Sequence, residues 1–169
     1  LCARGQWTTG TGRREQLDLQ AALARLPQRL EPEALYQKLE SLGLCYGPAF
    51  RAVQGLRHSD DEVMAWIETP PALAEGFVLP PTLFDAALHC LLALAGDRYR
   101  DCELVPTGIA ELSLLSSPGL QAVVVGRFDV RDTEPRCDLV IATRDGEVCA
   151  RVRGLVFRVL TRQHQAPAA

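Results

Sequence analysis

The sequence lacks an excess of charge of either sign. Eighteen lysine and arginine residues against 21 aspartate and glutamate residues leave a formal net charge of -3 over 169 residues. A surface that binds nucleic-acid phosphates or anionic lipid needs clustered positive charge, which this balance does not supply. No apolar run reaches the roughly 18 residues of a membrane-spanning helix, because Asp85 and His89 interrupt the longest run, residues 83–95. We therefore predict neither a nucleic-acid partner nor a membrane partner.

Patterns typical of metal sites and of disulfide scaffolds are also missing. The six cysteines form no Cys-x-x-Cys pair, and no histidine stands at a metal-ligand spacing from them. We therefore expect no metal site, and buried, reduced thiols in a cytoplasmic protein. Leu1 to Gly5 show neither an initiator Met nor a signal-peptide pattern, which predicts a cut made inside a longer polypeptide.

What is present is an apolar content of 47%, enough for one domain with its own core. Leu35, Leu39 and Leu42 recur at helical spacing and predict a short amphipathic helix over residues 32–42. Gly47 and Pro48 cannot continue a helix, so a tight turn follows. Alternating residues then predict two strands, at 50–57 and 62–69.

A second, longer helix is predicted over residues 81–95, opened by Pro81 and closed by Gly96. It is apolar on every face, so we expect other elements to wrap it on all sides. Asp145 and Gly146 stand between two apolar runs and predict a hairpin. The last four predicted strands cover residues 111–115, 121–130, 137–143 and 147–160. One long helix against one curved antiparallel sheet is an α+β architecture.

Asp85 and His89 are the pair most informative about chemistry. They lie four residues apart on the apolar helix, so their side chains share one face. Burial favours a protonated carboxyl group, which could act as a general acid near neutral pH. A neutral His89 would orient that carboxyl group, whereas a cationic His89 would lower its pKa again. The alternative is a buried pair that only satisfies its own hydrogen bonding.

Two ordered motifs resemble those of polyketide synthase dehydratase domains. Tyr46-Gly47-Pro48-Ala49-Phe50 resembles the family's YGPxF element, and residues 79–89 resemble its HPALLDAxxQ/H segment. Leu104-Val105-Pro106 and the hairpin from Asp145 to Leu155 also match. The resemblance covers residues 31–160.

The resemblance implies a double hotdog, in which each half wraps a curved antiparallel sheet around one long helix. This chain resembles the second, C-terminal half. Residues 1–10 are then the last strand of the preceding hotdog, 11–30 a linker, 31–160 the C-terminal hotdog and 161–169 a flexible tail. The family's first hotdog carries the catalytic base in an HxxxGxxxxP motif, which does not occur in this sequence.

The resemblance also implies residue roles. Asp85 would protonate the departing β-hydroxyl of a 3-hydroxyacyl thioester, and His89 would hold the Asp85 carboxyl group. Tyr46, Gly47, Pro48 and Phe50 would contact the substrate. Elimination of water needs a base opposite this acid, so the chain holds half of an active site.

The implied partners are an acyl carrier protein, whose phosphopantetheine carries the substrate, the N-terminal hotdog half that supplies the catalytic histidine, and a second copy in a homodimeric synthase. No bound cofactor is implied. Pro80 stands where the family commonly has histidine. This departure keeps a second hypothesis open: a non-catalytic or repurposed domain for acyl-chain binding, branching, cyclisation or double-bond isomerisation.

Overall fold

The computed structural model describes residues 4–6, 8–9, 14–95, 99, 102–129 and 134–161. Within these residues the helices are α1 (Leu19–Ala24), α2 (Pro32–Ser41), α3 (Pro71–Ala74) and α4 (Pro81–Ala95), with a 3-10 turn at Pro48–Phe50. The strands are β1 (Gln28–Leu30), β2 (Val53–His58), β3 (Glu62–Glu68), β4 (Cys102–Leu114), β5 (Gln121–Asp129), β6 (Arg136–Ala142) and β7 (Val148–Thr161).

The seven described strands form one antiparallel sheet in the order β1-β2-β3-β5-β6-β7-β4. Strand β4 is an edge strand that pairs only with β7. The predicted hairpin joins β6 to β7, with Gly146 at a φ of 92°. The left-handed region is open to glycine at little steric cost, which explains the residue's place in this turn.

Both faces of the central strand β5 are covered. On one face α4 packs against β3 and β5, in a core that includes Leu91, Val124 and Leu139. On the other face α1 covers a smaller cluster that includes Met64 and Val125. Strand β5 therefore carries a continuous apolar run instead of a polar face, as strands covered on both sides do.

Helix α4 has the predicted bounds, but the expectation that it is wrapped on all sides is wrong. Pro81 is exposed, and Phe84, Asp85 and Leu88 are partly exposed. These positions follow one another at helical spacing and form one stripe. Of the other described side chains of the helix only Leu94 is partly exposed and the rest are buried, so the described elements leave this stripe open.

Strand boundaries account for the largest differences from prediction. Strand β4 begins at Cys102, nine residues before the predicted start at residue 111. Pro106 and Gly108 obscured it, and the structure places a register shift between them. Proline is tolerated on an edge strand and at a bulge, because no ladder hydrogen bond is lost there. Strand β2 starts at Val53 and not at residue 50, since the 3-10 turn occupies Pro48–Phe50.

The segment predicted as a linker contains two elements that pack on the sheet. Strand β1 pairs with β2, and Ala22 of α1 is buried against the outer face. Arg4–Gln6 and Thr8–Thr9 carry no regular structure. The structure does not describe the rest of residues 1–10, Gly96 or residues 162–169. The strand of the preceding hotdog, the end of the long helix at Gly96 and the flexible tail therefore stay predictions.

Five cysteines are described, and all are unpaired. The expectation of buried thiols is confirmed for Cys90, Cys137 and Cys149, whereas Cys45 is exposed. Burial raises the pKa of the Cys90 and Cys137 thiols above the usual range. In the described ranges, no helix combines the length and the hydropathy needed to cross a membrane.

The close packing of α4 on β5 gives a first prediction. A Cβ at Gly126 would lie 2.8 Å from side-chain carbons of both Leu91 and Leu139. We expect Gly126→Ala to lower the free energy of unfolding by about 1–3 kcal/mol through overpacking. In Gly55→Ala, the nearest atom to the new Cβ is 3.8 Å away, in Trp66, so this matched variant should change stability by less than about 1 kcal/mol. Urea denaturation of both variants measures the difference, and equal stabilities would contradict the packing argument.

Candidate active site

Helix α4 brings the two predicted catalytic residues together. His89 Nε2 lies 2.8 Å from Asp85 Oδ2. The Asp85 side chain is 34% exposed on the open stripe of the helix, whereas the His89 side chain is fully buried. The carboxyl group therefore has one side held by the protein and another side open to an incoming molecule.

The surroundings of His89 favour one tautomer. Its Nδ1 is buried and has no hydrogen-bond partner. A proton on Nδ1 would be an unsatisfied buried donor, at a cost of about 1–3 kcal/mol. When the ring is neutral, it therefore carries its hydrogen on Nε2 and donates it to Asp85 Oδ2. Asp85 Oδ1 is left as the oxygen that can carry an acidic proton.

The turn that holds Tyr46 lies over this pair. Residues 44–47 carry no regular secondary structure, and Gly47 then leads into the 3-10 turn, where Phe50 N–H donates to Gly47 O. The Tyr46 ring stacks on the His89 ring at a centroid distance of 3.8 Å and an angle of 45°. Arg51 Nε donates to Tyr46 O at 2.9 Å and holds the backbone of the turn.

Sequence reasoning missed Tyr36, whose side chain connects this turn to the start of β2. Its ring meets the rings of His89 and Tyr46 edge-on, at 5.9 Å and 6.4 Å. Its hydroxyl group accepts from Val53 N–H at 3.2 Å and donates to Phe50 O at 3.4 Å. A tyrosine among the leucines of the buried face of α2 was the available signal, because a buried phenol needs hydrogen-bond partners.

Both tyrosines keep their protons over a wide pH range. Burial raises the pKa of Tyr36 to about 12. Burial also raises the pKa of Tyr46, and the negative charge of Asp85 adds to this effect. Tyr46 is thus a neutral phenol close to the carboxyl group, and it can donate a hydrogen bond to a ligand oxygen there.

The other predicted site residues, Gly47, Pro48 and Phe50, belong to the same turn. Gly47 and Pro48 are exposed, and the Phe50 side chain is 43% exposed. A Cβ at Gly47 would meet no atom within 4 Å. The structure therefore leaves open space beside this turn, while the substrate contacts predicted for these residues stay predictions.

In the described part of the chain, the Asp85 carboxyl group has one histidine beside it, His89, and no second one. His58 lies at the end of β2, with its Nδ1 hydrogen-bonded to Ser59 O, and His164 lies outside the described residues. Among the side chains that the structure describes, no group of three or more His, Cys, Asp or Glu could hold a metal ion.

Comparison with known proteins gives a family match over most of the chain. The family model described as "Polyketide synthase dehydratase N-terminal domain" matches residues 14–167. The spectinabilin polyketide synthase system protein NorA' of Streptomyces orinoci is 33% identical over 147 residues, which are 83% of this chain and 4% of that protein. Polyketide synthase PksN of Bacillus subtilis is 25% identical over 142 residues, 82% of this chain and 3% of that protein.

Solved structures agree in fold. The dehydratase domain of RzxB from Pseudomonas fluorescens is 29% identical with a TM-score of 0.74, over 87% of this chain and 54% of that chain. A trans-AT polyketide synthase dehydratase domain from Brevibacillus brevis is 26% identical with a TM-score of 0.78, over the same shares. The predicted α+β hotdog class is confirmed. The chain spans about half of each solved dehydratase and a few per cent of the curated synthases.

The contacts of Tyr36 give a second prediction. Tyr36→Phe keeps the ring but leaves the buried Val53 N–H without its acceptor, so we expect a loss of about 1–3 kcal/mol in the free energy of unfolding. Hydrogen exchange should show faster exchange at Val53 than in the unchanged protein. Unchanged stability together with unchanged protection of Val53 would mean that the hydroxyl group does not hold the turn.

Proposed function

The chain belongs to the polyketide synthase dehydratase family, and from this premise we propose that it is the C-terminal hotdog half of a domain that removes water from a 3-hydroxyacyl thioester. The observation that carries the proposal is the Asp85 carboxyl group, held by buried His89 beside Tyr46 on the open stripe of α4. The product would be an enoyl thioester.

The assignment to the C-terminal half stands on sequence motifs. The description of the matching family model contains the words "N-terminal domain". The HxxxGxxxxP motif of the first hotdog is nevertheless missing from the sequence. The segment around Asp85 and His89 is instead the one that the resemblance places in the second hotdog. A chain that spans 54% of a solved dehydratase is consistent with one of two halves.

In the proposed mechanism, His89 positions the acid and Asp85 Oδ1 delivers the proton. The β-hydroxyl group of the substrate lies on the open side of Asp85, where the Tyr46 phenol donates a hydrogen bond to it. A base on the other half removes the α-proton as the C–O bond breaks, and the hydroxyl group leaves as water with the proton of Asp85. The carboxylate that remains is stabilised by the Nε2–H of His89.

Strand β4 supports the proposal of a missing half. It carries exposed apolar side chains at Val105, Ile109, Leu112 and Leu114, and only one of its edges is paired. A long, exposed, apolar edge strand invites pairing with another chain segment. We assign this edge and the open stripe of α4 to the N-terminal hotdog half, which would close the site over Asp85.

The other proposed partners follow from the substrate. An acyl carrier protein would present the thioester on its phosphopantetheine, and the parent synthase would be a cytoplasmic homodimer. The chain itself would bind no cofactor. The unpaired thiols of Cys45 and Cys102 are consistent with a reducing compartment.

One observation favours a second candidate, a repurposed domain that isomerises double bonds or binds acyl chains. Pro80 replaces a histidine common in the family. In the structure Pro80 is buried, and its carbonyl group accepts from both Leu83 N–H and Phe84 N–H. Residue 80 thus has a backbone role at the start of α4, and what this chain lacks there is the imidazole group. A repurposed domain would convert an enoyl thioester while leaving a 3-hydroxyacyl thioester unchanged.

Substitution of Asp85 tests the proposed acid. In the complete dehydratase domain that carries this chain, we expect Asp85→Asn to slow loss of water from a 3-hydroxybutyryl carrier protein by about 100- to 10,000-fold. Mass spectrometry of the carrier protein measures the reaction. Asp60→Asn, in the exposed β2–β3 turn, is the matched control and should retain the full rate.

Substitution of His89 separates positioning from folding. Glutamine can donate to Asp85 and leucine cannot, so His89→Gln should retain more activity than His89→Leu. Full activity in Asp85→Asn would end the assignment of the acid, and equal rates in the two His89 variants would end that of the positioning residue.

The proposed half-site has its own test. Because the chain lacks the base, the isolated chain should remove water at least about 100-fold more slowly than the complete domain. Addition of the separately expressed N-terminal half should restore part of the rate. Full activity of the isolated chain would contradict the two-half arrangement.

A further inference from the structure

A cavity of about 160 Å³ lies near the C-terminal half of α4, and neither Asp85 nor His89 lines it. It is lined by the segment after α2, by α4, by Tyr99 and by the start of β4; the lining residues are Leu42, Gly43, Leu44, Leu92, Tyr99, Cys102, Leu104 and Val105. An engineered protein cavity of about 150 Å³ with apolar walls holds benzene. The volume here thus suits a group of about six carbon atoms.

The cavity lies in line with the proposed acid. Leu92 follows Asp85 by seven residues, so the two share one face of α4, about 10 Å apart along the helix axis. Partly exposed Leu88 lies between them on the same stripe. The segment that places Tyr46 on His89 also places Leu44, two residues earlier, at the cavity.

The chemistry of the walls favours hydrocarbon. None of the lining residues is Asp, Glu, Lys, Arg or His. The N–H groups of Leu42, Gly43 and Leu44 already donate to carbonyl groups of α2. The N–H of Tyr99 donates to Ala95 O, and that of Cys102 donates to Tyr99 O. A phosphopantetheine arm, with two amides and a phosphate, would lose hydrogen bonds at this wall.

We propose that this cavity binds the distal, saturated end of the acyl chain of the substrate. An extended acyl chain advances about 3.6 Å per three covalent bonds. The distance of about 10 Å along the helix axis therefore corresponds to about eight or nine bonds between a β-carbon at Asp85 and the level of Leu92. The domain therefore selects 3-hydroxyacyl chains of about twelve carbon atoms with an apolar end. This inference rests on the proposed function, because it takes the β-carbon to lie at Asp85.

Cys102 provides a direct binding readout that does not require catalysis. In the complete domain, dodecanoyl pantetheine should slow alkylation of Cys102 by iodoacetamide about tenfold, whereas butyryl pantetheine should leave it unchanged. Peptide mass spectrometry follows each thiol. Exposed Cys45 is the internal control and should react at one rate throughout. Absence of protection, or equal protection of Cys45, would overturn the proposal.

A substitution at the cavity then tests selectivity in the complete domain. Val105→Trp should fill the cavity and lower kcat/KM for 3-hydroxydodecanoyl relative to 3-hydroxybutyryl carrier protein about tenfold. Ile109→Trp, equally exposed on β4 but outside the lining, should leave the ratio unchanged. An unchanged ratio in Val105→Trp would overturn the proposal. If neither substrate loses water in the unsubstituted domain, the proposed function fails, and the Cys102 result still decides whether the cavity binds an acyl chain.

Discussion

The hydrogen bond between His89 and Asp85 is the interaction on which the candidate site depends. It joins a fully buried ring to a carboxyl group that is one-third exposed. Because Nδ1 of His89 has no partner, the bond also determines where the ring carries its hydrogen. The protein thus holds one carboxyl oxygen and leaves the other available for proton transfer.

Two tyrosines make this geometry stable. Tyr46 covers the His89 ring, and Tyr36 ties the turn that carries Tyr46 to the start of β2. The arrangement depends in turn on the close packing of α4 on the sheet, for which Gly126 leaves room. A substitution at Tyr46, Tyr36 or Gly126 should therefore change the position of the Asp85 carboxyl group, because each of these residues helps to position the next one.

The open stripe of α4 and the unpaired edge of β4 are the surfaces that the proposed N-terminal half would cover. Asp85, the Tyr46 turn and the cavity near Leu92 lie in this order along α4. A substrate that reaches all three would lie along the helix, with its reacting carbon near the first turns and its distal end near the last. The distance along α4 between Asp85 and Leu92, which the rise of the helix sets, would then determine the length of the acyl chain that fits.

The sequence by itself determined the bounds of α4, the β6–β7 hairpin and the pairing of Asp85 with His89, because helical spacing and turn chemistry are local. It also brought out the Tyr46 turn, through a motif. Only the tertiary structure decided that one stripe of α4 is open, that β4 extends through Pro106 and that Tyr36 holds the turn. Each of these features depends on contacts with elements that are distant in the sequence, and the local spacing of residues does not predict such contacts.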